Sequence, residues 1–127
     1  VFDVSQIPLF ALANQRLAWI DQRQQVLAQN IANIDTPGWR TRDLTPFDAS
    51  LAHANLELTR TDGAHLAGAA GGGGTAGRAQ VVEQAPDKNG VSLDKELEKV
   101  AESDTAHELV TELTRKYLGL VRTAIGK

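Results

Sequence analysis

Leu27-Ala28-Gln29-Asn30-Ile31-Ala32-Asn33-Ile34-Asp35-Thr36-Pro37-Gly38-Trp39 decides the fold, because a helical pattern runs into it and cannot run through it. Upstream, Phe10, Ala13, Leu17, Ile20, Gln24, Leu27, Ile31 and Ile34 recur at alternating steps of three and four, the seam of a coiled coil, so a helix is predicted over 9–33. Gln24 alone breaks the apolar run, and Pro8 suits a first helical turn. Pro37 lacks an amide hydrogen and pushes Thr36 out of the helical region, while Gly38 can take the positive φ of a type II turn. Asn33 is the expected helix end, since Asn tolerates the left-handed conformation.

Moving outward, a second helix is predicted over 92–125, with Ser92 as N-cap and Asp94 and Glu96 in its first turn. Its apolar positions include Leu93, Leu97, Ala101, Leu109, Leu113, Tyr117 and Leu120. Steps of four dominate, so the stripe drifts around the helix, and a change of packing partner or a local bend is expected near Glu102–Asp104. Acids lead this helix and Arg115, Lys116 and Arg122 follow, a polarity that suits head-to-tail stacking of subunits. The expected core sets Leu17, Ile20, Leu27 and Ile31 against Leu109, Leu113, Tyr117 and Leu120, with Phe10 on the same seam.

The fold class is therefore mainly α: two long terminal helices paired as an antiparallel coiled coil around an irregular middle, 34–90, in one domain spanning 1–127. Within the middle, Thr41–Pro46 reads as extended or looped, Phe47–Ala54 as a short helix, and 56–60 and Gln80–Glu83 as short strands that give a small β-hairpin. The Gly-rich tract 68–77 cannot bury enough apolar surface to offset its entropy and reads as a flexible loop.

Composition excludes several classes. Net charge is −3, which gives no basic footprint for nucleic acid. There is no cysteine, so disulfides, thiolate metal sites and cysteine nucleophiles are out. No run approaches the length needed to span a bilayer, so direct membrane insertion is not expected, and Val1–Phe10 has no pattern of a cleaved signal. Aromatics at 5% suit a thin helical pair better than a round core.

The chemical motifs are weak. Gly72–Gly77 matches G-x-G-x-x-G, but without the flanking strand and long helix a dinucleotide needs. His53, His65 and His107 lack metal-ligand spacing, leaving a set such as His53, Asp62 and His65 as a formal alternative. The serines have no nucleophile-elbow context, and Glu96 and Glu98 read as solvated surface. No catalytic, cofactor or metal residue is expected, and two long apolar stripes on a thin pair point to burial against other chains.

The quoted segment resembles the N-terminal signature of the flagellar axial proteins (rod, hook and hook-associated), in which a helix ends in N-I-A-N before a T-P-G-aromatic turn; here the aromatic is Trp39. Arg40–Leu44, Arg60–Leu66, Asn89–Leu97, Leu113–Tyr117 and Leu120–Ile125 resemble the proximal rod branch of that family, and the length is similar too. The Ala106-His107 region departs from the pattern, which often has an aromatic there. The resemblance implies a structural subunit of the basal-body rod in the periplasm, exported through the flagellar type III apparatus. It implies assembly with itself, other rod subunits, the membrane ring and the rod adaptor. It also implies that Asn30, Asn33, Asp35, Thr36, Pro37, Gly38 and Trp39 form the turn by which the chain leaves the inner helix layer, and that Phe47 and Leu51 are a candidate export signal. A soluble helical adaptor or chaperone-like binding module is the alternative from a different class.

Overall fold

The computed structural model describes residues 8–58, 79–84 and 92–126, with backbone alone over 53–58. Its elements are α1 (Pro8–Ala32), β1 (Arg42–Leu44), α2 (Phe47–Leu58), β2 (Val81–Glu83) and α3 (Leu93–Ile125). The Gly-rich tract 68–77, the 60–66 segment and Asn89–Val91 lie outside the described residues.

Helix α1 ends as Pro37 requires, but by a different device from the one expected. No described residue other than glycine has a positive φ, so Asn33 stays right-handed. Its backbone and side-chain nitrogens both donate to the Gln29 carbonyl, at 3.1 and 2.9 Å, and its own carbonyl accepts from Thr36 N–H. Trp39 N–H then returns to Thr36 C=O across Pro37 and Gly38, with Gly38 at φ 77°, which is the type II turn. Helix α3 starts after an extended Ser92 whose side chain makes no cap bond, and stops at left-handed Gly126, whose N–H bonds Arg122 and Thr123 carbonyls.

The two long helices are antiparallel: Asn30 meets Glu96 and Gln24 meets Asp104. This register sets Pro8 opposite residues near 118–120, so about one and a half turns of α3 run past the described start of α1. Ile20 and Leu27 are wholly enclosed and Phe10 is buried, as the heptad seam requires, while Leu17 and Ile31 are half-buried.

The partner face of α3 differs from the expected one. Its covered residues are Glu96, Lys99, Val100, Ser103, Ala106, His107, Val110, Thr111, Thr114, Leu118 and Val121. Leu109, Leu113, Tyr117 and Leu120 are all exposed, with Leu109 at 59%. The polar contacts at Glu96, Lys99, Glu102 and Asp104 fix the rotation of α3 about its axis. Rotating the leucines inward would strip those charged groups of partners inside the fold, a larger penalty than leaving leucines half-exposed.

An adjacent face of α1 carries a small second core of Val26, Leu44 and Ala79, flanked by Trp19. Strands β1 and β2 are antiparallel, with Arg42 opposite Glu83 and Leu44 opposite Val81. They are not a hairpin, because α2 lies between them in sequence. A two-stranded ribbon is marginal alone. Here Gln22 holds it to α1 by donating to Ala79 C=O and accepting from Ala79 N–H, at 2.9 and 3.1 Å. The strand expected over 56–60 is helical as far as Leu58. Asp48, accepting from Ala49 N–H, and the following Ala and Leu residues favour continued helix over an isolated strand.

Candidate assembly interface

The motif segment is built around Asn30. Its amide donates to the Arg42 carbonyl at 2.7 Å and to Glu96 Oε2 at 2.9 Å, and its carbonyl accepts from Arg42 N–H at 3.0 Å. One buried side chain thus joins α1, β1 and α3. Beside it, Arg23 forks onto Asp43 at 3.1 and 3.2 Å and reaches Glu102 at 3.6 Å. Lys99 lies 3.8 Å from Asp43 and 3.4 Å from Glu96, and donates to Gln84 at 2.9 Å. Such bidentate, shielded pairs fix geometry better than exposed ion pairs do.

Among the remaining motif residues, Asp35, Thr36, Pro37 and Gly38 are exposed and Trp39 is half-buried, with the Arg42 guanidinium 5.3 Å from its ring centroid. The turn therefore delivers the chain from α1 into β1, and Asn30 fastens the delivered strand. Phe47 stacks edge-on to Trp19 at 6.2 Å and Leu51 is half-buried, so both belong to ordinary helix packing, apart from any signal role. Trp19 in turn donates to Thr45 C=O at 2.9 Å.

At the other end of the pair, Leu9, Leu12, Phe47, Val110, Leu113 and Tyr117 line an open apolar groove of about 270 Å³. Arg16 stands at its rim, 4.7 Å from the Trp19 centroid and 5.1 Å from that of Phe47. Burial, and then the nearby Arg23 charge, pull its pKa below the usual arginine range. Of the four residues expected to pack inward from α3, Leu113 and Tyr117 reach this groove, while Leu109 and Leu120 face away.

The residues that pattern reading missed are polar: Asn30 as a buried three-way contact, Glu96 at 3% exposure, Ser103 at 2%, and the Arg23–Asp43 pair. The available signal was the polar break at Gln24, which already marked the helix seam as mixed; Gln24 donates to Asp104 at 2.6 Å.

The model of the family described as flagella basal body rod protein matches residues 11–40, the segment from the seam of α1 through the turn. The chain is 40% identical over 62 residues to the flagellar basal body rod protein FlgB of Agrobacterium fabrum, a match that covers 47% of this chain. It spans 46% of that protein, so about half the length of the curated relative is matched. On these two likenesses, carried in part by the helix and turn built above, the chain is similar to flagellar basal body rod proteins over about half of its length.

Proposed function

We propose that the chain is a non-enzymatic, structural subunit of the flagellar basal body rod, of the proximal type, in the part of the rod that crosses the periplasm. It assembles there with copies of itself and with other axial subunits, and meets the membrane ring and the rod adaptor after export through the flagellar type III apparatus. The observation that carries this reading is the outward stripe of α3: Leu109, Leu113, Tyr117 and Leu120 are exposed on a helix whose inner face is already occupied. Exposed apolar stripes of this length mark surfaces that other chains cover. A heterologous contact of this kind, repeated with a non-closing rotation, builds a helical tube.

The test replaces the native gene with a Leu109→Asp, Leu113→Asp double variant. The isolated chain should keep its helix content, because both side chains already meet water. Purified basal bodies should lack it, and swimming should be lost. Motile cells with the variant in their rods would overturn the proposal. A soluble adaptor or chaperone-like module, the less favoured reading, predicts that even the unaltered chain is absent from purified basal bodies.

A further inference from the structure

Arg16 differs from Arg23, the other arginine of α1, in its partners. Among the described residues no carboxylate lies within ion-pair distance of it, whereas Arg23, two turns on, has both Asp43 and Glu102. It is held instead against the faces of Trp19 and Phe47, at the rim of the apolar groove. Aromatic faces orient a guanidinium without neutralising it, and leave its outward edge ready for a bidentate acceptor.

The complementary surface lies on the same chain, at the far end of α3. Leu93 and Leu97 are exposed there, Leu97 at 48%. Asp94 and Glu98 flank them, and no ion pair engages either acid among the described residues. At 100° per residue, the direction of Leu97 lies roughly 160° around α3 from that of Leu113. The drifting stripe therefore shows one apolar flank at each end of the helix, on nearly opposite sides. One flank is set beside a cation, and the other beside acids, that have no ion-pair partner among the described residues.

We propose that the groove seats the acidic first half of α3 of a second copy, Leu93 and Leu97 entering between Leu12, Phe47 and Tyr117 while Arg16 takes Glu98. The contact is heterologous, so each copy keeps its own groove or its own acidic flank free for the next. It rests on the rod-subunit reading and gives that reading a specific head-to-tail joint.

The chain has no cysteine, so a single introduced pair reports the joint without background. A Leu12→Cys copy mixed with a Leu97→Cys copy should form a disulfide-linked heterodimer under mild oxidation. Leu12→Cys mixed with Glu112→Cys, on the exposed back of α3, should give at least about tenfold less. Arg16→Glu in the Leu12→Cys copy should abolish the link, and Glu98→Arg in its partner should restore it. Equal linking to both positions, no loss with Arg16→Glu, or no rescue by the charge swap would overturn the joint. So would intact rods in which Leu12→Cys links only to a different polypeptide, an outcome that leaves the rod-subunit reading standing. Conversely, the 12–97 link in a chain that never enters basal bodies would support the joint and sink that reading.

Discussion

Asn30 donates a 2.9 Å hydrogen bond to Glu96 across the helix pair, and both side chains are almost fully enclosed. The bond is one arm of a clamp whose other arms hold the Arg42 backbone. Removing an enclosed donor that serves a carboxylate exacts the desolvation penalty of the abandoned group as well as the bond itself.

Asn30→Asp should therefore destabilise the chain by about 3 kcal/mol, since it deletes the donor and sets a second carboxylate against Glu96. Glu96→Gln in that background should recover about half, because its amide can donate to the new carboxylate. Urea unfolding followed by far-ultraviolet circular dichroism measures both. An Asn30→Asp chain as stable as the parent would mean that the clamp does not hold the fold.

Much of the architecture was legible in the sequence, and the reason is local. The heptad steps from Phe10 to Ile31, the stop at Pro37-Gly38 and the length of α3 all follow from period and turn chemistry, which neighbouring residues decide. The face of α3 that meets α1 was not legible. Leucines at Leu109, Leu113 and Leu120 look like a core by hydrophobicity, yet the rotation of the helix is set by pairs far apart in sequence, Asn30 with Glu96 and Gln24 with Asp104. Periodicity ranks residues by their own apolarity and is blind to whether a polar partner waits on the facing helix. The sheet was half legible for the same reason. Gln80–Glu83 reads as a strand and Thr41–Pro46 only as extended or looped, and the pairing of Leu44 with Val81 across α2 is a long-range choice made by the α1 surface.

Gly38 tests the turn alone. Its φ is 77°, and a Cβ placed there would meet nothing within 4 Å, so any penalty of substitution is one of backbone conformation only. Gly38→Ala should cost about 1 kcal/mol, and Gly38→Asn clearly less, because Asn tolerates the left-handed region. Chemical denaturation should rank the three proteins Gly, Asn, Ala. Equal stability for all three would show that the turn relaxes to another type at no cost.

Ser103 offers the opposite sign. Its hydroxyl is enclosed, and Oγ has no hydrogen-bond partner among the described residues. Ser103→Ala removes an unsatisfied oxygen and adds helix propensity, so it should stabilise the chain by about 1 kcal/mol and raise the melting temperature by a few degrees. Ser103→Leu should do the reverse, since this small side chain is only 2% exposed and an inserted isobutyl group overpacks the enclosed position. Thermal melts of the two variants should move apart, and a shift in the same direction for both would refute the assignment.

The division between inner and outer apolar residues predicts a crossed pair of responses. Leu27 has no exposed surface, so Leu27→Ala should cost the isolated chain about 3 kcal/mol through lost burial and the cavity it leaves. Leu109, at 59% exposure, should change monomer stability by less than about 0.5 kcal/mol when replaced by alanine. In assembly the order reverses per unit of folding energy. Leu109→Ala should weaken subunit association in a chain that still folds normally, while Leu27→Ala should affect association only as far as it lowers the folded fraction. Denaturant titration of the monomer, paired with sedimentation of the concentrated chain, reads both axes. If Leu109→Ala unfolds the monomer as readily as Leu27→Ala does, the outward stripe is part of the core after all and the division of α3 into a covered inner face of mixed polarity and an outer apolar stripe fails.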